Sequence, residues 1–262
     1  MKNASLVVVG SGIKFFSHLT TETKTYITQS DKVLYLVNEP AIEEWIHLTN
    51  SNSESLENIY RSYSLRLHSY RAITHQILSE VKKNQRVCVV IYGHPTIMVQ
   101  PALEAAIQAK KEGIDVLVLP GVSAEDCLFV DLMINPGSSG WQSFEATDLL
   151  IHQRSIDNRS HLILWQAGLI GELGIPKPEN NNRAIKVLLD YLLKYYALTD
   201  EMIVYEASQY PGFKPKIANL YIGDLCNTII SRTSLLYIPP NTSSTTDEST
   251  LRELGINRKN LT

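Results

Sequence analysis

Cysteine is scarce in this chain: Cys88, Cys127 and Cys226 are spread over 262 positions. They form no CxxC pair and no Cys/His ligand spacing, so no metal site is expected. Cys88 lies in an apolar strand pattern and Cys127 in an apolar helical one, where a thiol behaves as a small core residue. An excess of one charge is lacking too. The formal net charge of −3 argues against a nucleic-acid partner, which would call for a clustered basic surface. No apolar run approaches membrane-spanning length. The opening MKNASLVVVGSG becomes a strand and a turn too soon for a signal peptide. A soluble, cytoplasmic chain without a membrane partner is expected. What is present is globular in character, with 44% hydrophobic and 19% charged residues, enough for one large domain or two ordinary ones.

The pattern divides the chain near residue 121. Residues 1–121 alternate strands and helices: LVVV (6–9), KVLYLV (32–37), VCVVIY (87–92) and a strand over 115–119, with helical stretches between them. One long amphipathic helix is expected through Tyr63, Leu67, Tyr70, Ile73, Ile77 and Val81, and another from Ala102 to Glu112, capped by Gly113. This alternation predicts a mainly parallel sheet. Residues 122–240 open on a helix over 124–132, N-capped by Ser123 with Asp126 at its third position. They then turn richer in strands: SFEA (143–146), HLILWQ (161–166), MIVYEA (202–207), KIANLYI (216–222) and SLLYIP (234–239), with one helix over 183–195. A mixed or antiparallel sheet is expected here. Residues 241–262 form a polar tail that contains the low-complexity stretch NTSSTTDEST and a short helix, STLRELG. The fold class is therefore α/β, with two domains and a tail.

The chemistry concentrates in residues 60–95. Tyr60, Arg66 and Tyr70 precede a strand ending in Tyr92-Gly93-His94-Pro95. Arg66 and Tyr70 are one helical turn apart and can share a face. Tyr92 falls at the carboxyl edge of the predicted sheet, where open α/β proteins bind ligands. A guanidinium beside phenols can lower a tyrosine pKa and stabilise a developing anion. Tyr63 is nearly in phase with Tyr70 on an ideal helix and competes with Tyr60 for the inner face. Gly10-x-Gly12 suggests a dinucleotide turn but lacks the third glycine, Phe15 standing there, so a tight structural turn explains it equally well. Gly93-His94-Pro95 and Pro120-Gly121-Val122-Ser123-Ala124 each offer free backbone at a strand or helix end. Together they point to one cleft.

The order of a GxG turn, a GxP loop, PGVSA and a β-rich second half resembles the tetrapyrrole (corrin/porphyrin) methylase superfamily. YGHPTIMVQP (92–101), PGVSAEDCLF (120–129), FEA (144–146) and HLILWQAG (161–168) narrow the resemblance to the borosin peptide backbone α-N-methyltransferases, over almost the whole chain. The resemblance implies a two-domain tetrapyrrole-methylase-like fold with S-adenosyl-L-methionine in the cleft between the halves. It implies a catalytic set Tyr60, Arg66, Tyr70 and Tyr92. It implies cofactor contacts at Tyr92, His94, Ile97, Ser123, Ala124, Gln166, Ala167, Ala207 and Ser234. Two departures stand out: Leu235 replaces a threonine found in relatives, and Phe144 replaces the tyrosine of YEA. The implied activity is methylation of backbone amides in a ribosomally made precursor peptide. The short tail sets the expectation that the peptide is supplied in trans. A homodimer, or a heterotetramer with the precursor, is also expected from the resemblance. A C- or O-methyltransferase acting on a tetrapyrrole-like small molecule, or a non-catalytic peptide-binding homologue, would fit the same cleft.

Overall fold

The computed structural model describes residues 5–83, 86–174, 181–241 and 246–260. Part of the NTSSTTDEST stretch, 242–245, lies outside them. The first half runs β1 (Ser5–Gly10), α1 (Thr21–Gln29), β2 (Lys32–Leu36), α2 (Pro40–Thr49), β3 (Ser53–Ser55), α3 (Glu57–Arg61), α4 (Arg66–Lys83), β4 (Arg86–Ile91), α5 (Pro101–Lys111) and β5 (Asp115–Val118). The second half runs α6 (Ala124–Asp131), β6 (Trp141–Glu145), α7 (Ala146–Ile151), β7 (His161–Trp165), α8 (Asn182–Leu192), β8 (Glu201–Glu206), β9 (Lys216–Tyr221), β10 (Leu235–Ile238) and α9 (Glu248–Glu253).

The first sheet has the order β3-β2-β4-β1-β5, and every pairing in it is parallel. Such a sheet is covered on both faces, which is why β1 and β4 read as unbroken apolar runs. On one face, Ile73, Ile77 and Val81 of α4 pack with the alanines Ala102, Ala105, Ala106 and Ala109 of α5. Ile27, Ile42 and Ile46 of α1 and α2 cover the other. The second sheet is mixed, in the order β6-β7-β10-β8-β9. Only β6 and β7 pair in parallel there, while β7-β10, β10-β8 and β8-β9 are antiparallel. One face of it packs on α7 and α8. The other meets α6, through Cys127 and Leu128 against Tyr205, Leu235 and Tyr237, and this cluster also takes in Ile13 and Tyr92 from the first half. Helix α6 thus sits where the two sheets meet.

The long helix expected over 63–81 is broken. Ser62 turns its hydroxyl back to the Asn58 carbonyl at 2.6 Å, which closes α3. Leu65 then forms an isolated bridge with Gly174, so the chain is extended just before α4 begins at Arg66. Tyr63 falls in this connection, 42% exposed, with its ring edge-on to His68. The phase argument that set it against Tyr60 fails because the two residues do not share a helix.

The glycine pattern has a structural explanation. A Cβ on Gly10 would lie 2.2 Å from the Gly93 oxygen, and one on Gly121 would lie 2.8 Å from the same atom. The ends of β1, β4 and β5 therefore meet backbone to backbone. Gly12 and Gly93 exchange N–H···O bonds of 3.1 and 3.2 Å, both with left-handed φ. Gly10→Ala should cost about 1–3 kcal/mol, as overpacking at a rigid site does. A denaturant midpoint that does not move would show that these strand ends yield.

Candidate active site

The carboxyl ends of β2 and β4 open onto a cavity of about 900 Å³, walled on its far side by the ends of β7 and β8 and the start of β10. This is where parallel sheets present ligand sites, and the volume suits a cofactor-sized molecule. Tyr60, Tyr70 and Tyr92 all line it, although they come from α3, α4 and the end of β4. The Tyr60 and Tyr70 rings stack 6.2 Å apart at 29°. Ser69 fixes that pair by donating to the Tyr60 carbonyl at 2.7 Å, tying α3 to α4.

Arg66 is placed differently. It does not line the cavity; its guanidinium donates to the Glu172 carbonyl, in the segment that follows β7. The Tyr70 phenol is also not what the spacing suggested. Burial pushes its pKa up from the ordinary tyrosine value, Tyr60 adds to the rise, and Arg66 only partly offsets them. The desolvation of the phenolate outweighs the cation, so Tyr70 stays protonated at neutral pH. Burial likewise raises Tyr92, against hydrogen bonds with Asn38 and Gln209 that favour its ionised form.

The residues carried over as cofactor contacts divide in the same way. His94, Ile97, Ser123, Ala124, Gln166, Ala207 and Ser234 all line the cavity with Tyr92. Ala167 does not: it is fully buried in the core behind β7. Ser123 closes the capping box of α6, its hydroxyl donating to Asp126 at 2.7 Å while the Asp126 N–H donates back at 3.1 Å. It therefore offers a ligand its surface rather than a free hydroxyl. The Ser234 hydroxyl donates to Glu206 at 2.9 Å, and Lys216 pairs with the same carboxylate at 3.0 Å. Burial acts to raise the Glu206 pKa, yet hydrogen bonds from Ser231, Lys216 and Ser234 outweigh it and hold the group below the usual carboxylate range.

Sequence reasoning missed Asn38, Gln209 and Glu206, all on the cavity wall. Their signal was positional, since each closes or follows a strand that ends at the cleft. Two non-glycine residues on the wall, Met98 and Gln166, adopt left-handed φ of 53° and 56°, the kind of backbone that concentrates at ligand sites. Gly93, Ala124, Glu206, Lys214 and Arg232 also line the cavity. Among the described residues no group of His, Cys, Asp and Glu is arranged to hold a metal ion.

The model of the tetrapyrrole (corrin/porphyrin) methylases matches residues 5–214. The chain belongs to that family. Most of the chain is also similar to larger proteins. It is 38% identical over 240 residues, 90% of its length, to the methyltransferase/ribosomally synthesized cyclic peptide gymnopeptides precursor of Gymnopus fusipes. It is 36% identical over 257 residues, 97% of its length, to the lentinulin A precursor of the same description from Lentinula edodes. The chain spans 57% of the first relative's length and 62% of the second's. The uroporphyrin-III-C-methyltransferase of Thermus thermophilus shares its fold with a TM-score of 0.65 at 16% identity, the match covering 92% of this chain and 93% of that one.

Proposed function

We propose that this methylase transfers methyl groups to backbone amide nitrogens of a peptide. The observation that carries the reading is the convergence of Tyr60, Tyr70 and Tyr92 on one cavity, in a chain whose relatives are named as methyltransferases joined to cyclic-peptide precursors. S-adenosylmethionine, when bound beside Gly93, Ala124, Gln166 and Ala207, supplies an electrophilic methyl on a sulfonium. An amide nitrogen is a poor nucleophile because its lone pair is delocalised into the carbonyl. The protein must therefore remove the amide proton and support the charge left behind.

Tyr70 is the first choice as base: it is mostly protonated at neutral pH, and the small phenolate fraction, a strong base, takes the amide proton onto its oxygen. Its stacked partner Tyr60, and Tyr92 on the same cavity, carry phenol hydroxyls suited to donate to the carbonyl oxygen of the resulting imidate. Each well-placed donor of this kind contributes about 3–4 kcal/mol to the transition state. Asn38 and Gln209 hold Tyr92 in position for this. The remaining rate comes from orienting the nitrogen towards the methyl in a site closed to water.

Delivery of the peptide on a separate chain is part of the proposal. The test is incubation with S-adenosylmethionine and the product of a neighbouring short reading frame, followed by mass spectrometry. Fragment ions should gain whole methyl increments at backbone positions, and the purified chain alone should keep its mass. Methylation of side chains or only of a small tetrapyrrole would refute backbone transfer, as would binding of the peptide without any change in mass. A ladder of increments on the enzyme itself would refute delivery in trans.

A further inference from the structure

The first turn of α6 carries two carboxylates with different tasks. Asp126 closes the Ser123 capping box. Glu125, next to Ala124, reaches instead to the second sheet. Its Oε1 accepts from the Trp141 indole N–H at 3.0 Å, and its Oε2 accepts from the Ser143 hydroxyl. Trp141 and Ser143 lie two residues apart on β6, so their side chains leave the same face of the strand. A carboxylate offers only acceptors, and here each oxygen meets a donor from that face.

The chain of bonds continues to the cavity. The Trp165 indole N–H donates to the Ser143 Oγ at 2.7 Å, from the end of β7, which pairs in parallel with β6. Trp165 lines the cavity, whereas Ser143, Glu125 and Trp141 do not. The bonds therefore run in one direction, indole N–H to hydroxyl and hydroxyl to carboxylate, away from the cavity wall. A hydroxyl that donates to a carboxylate makes a strong bond and becomes a better acceptor for the indole. The one polar atom of the Trp165 side chain is thus satisfied outside the cavity, and the carbon framework of the ring is what a ligand meets. Tyr92, Ala124 and Ala207 border the same apolar cluster as Trp165.

We propose that Glu125 is a positioning residue: acting through Ser143, it fixes the Trp165 indole as an apolar wall of the cofactor cleft. This rests on the reading of that cleft as the S-adenosylmethionine site. Neither Glu125 nor Ser143 lines the cavity, so their influence on a ligand passes through the tryptophan.

The test is a double-mutant cycle read by calorimetric affinity for S-adenosylmethionine. Ser143→Ala should bind about tenfold more weakly, as expected when a buried donor loses its acceptor. Glu125→Ala should lose about threefold, because Ser143 remains to accept from the indole. Both losses should vanish in a Trp165→Phe background, where no N–H is left to hold. A serine or glutamate that only tied α6 to the sheet would cost as much in that background as in the wild type, and that result would overturn the proposal. Wild-type affinity in Ser143→Ala would overturn it too. If Ser143→Ala fails to fold, the cycle between Glu125→Ala and Trp165→Phe, two residues that share only Ser143, decides alone. A wild-type chain that binds no S-adenosylmethionine would refute the methyltransferase reading instead. Acrylamide quenching then tests the positioning by itself, in a Trp45→Phe, Trp141→Phe chain whose one remaining tryptophan is Trp165. Adding Ser143→Ala should raise the quenching about twofold, and unchanged quenching would sink the assignment.

Discussion

Replacing Tyr70 by phenylalanine is expected to lower turnover by at least about a hundredfold, the lower range for loss of a positioned acid–base group. The ring and its stack on Tyr60 remain, so the variant should melt with the wild type and bind S-adenosylmethionine almost as tightly. Only the proton acceptor is gone. The pH dependence carries the sign. Burial and Tyr60 raise the Tyr70 pKa in the free chain, so the fraction of phenolate grows with pH throughout the range in which the protein is handled. Because kcat/KM reports groups of the free enzyme, it should climb without a plateau up to at least the ordinary tyrosine pKa of about 10. In Tyr70→Phe that climb should disappear. Tyr63→Phe should behave as wild type, since Tyr63 lies outside both α3 and α4 and away from the cavity. A Tyr70→Phe enzyme with normal turnover, or a wild type whose activity levels off near neutral pH, would remove Tyr70 as the base.

The strands and helices that could be read in the chain are those whose signal is local. β1 and β4 are apolar runs buried on both faces, and α6 announces itself through the Ser123–Asp126 capping box. β3 could not be read: Ser-Glu-Ser has neither alternation nor bulk, and it exists only as an edge paired to β2. α7 was hidden within a predicted strand end because what starts it is the Glu145 side chain accepting from the Asp148 N–H, a cap that carries no apolar signature. The site shows the same limit. Tyr92 and Ala124 were legible because each follows a pattern that ends at a sheet edge or begins a helix. The break between α3 and α4 was not, because it depends on Gly174, more than a hundred residues along the chain, pairing with Leu65. The placement of the Arg66 side chain was not legible for the same reason. Its helical spacing from Tyr70 is real, but its partner is a backbone carbonyl in the other half of the molecule, which no local pattern contains.

The second large effect is expected at Ala124. It opens α6 and lines the cavity, so Ala124→Phe places a benzyl group in the space beside Gly93 and Ala207. Affinity for S-adenosylmethionine should fall by at least about a hundredfold, equivalent to roughly 2.7 kcal/mol. Stability should fall less than affinity, since Ala124 lines the cavity at the edge of the core cluster around Cys127 and Leu128, and the Ser123 cap before it is retained. Gly93→Val is a poorer probe. Gly93 has a left-handed φ of 71°, strained for a β-branched residue, and its carbonyl is packed against Gly10 and Gly121. A loss of binding there would mix cleft and fold. Val130→Phe supplies the matched control on the same helix, because Val130 is 75% exposed and does not line the cavity. Calorimetry on the two variants should separate them completely, with Val130→Phe binding as wild type. If Ala124→Phe binds the cofactor as tightly as Val130→Phe does, the cofactor lies outside this cleft, and the cofactor contacts assigned to Ser123, Ala124 and Ala207 fall with it.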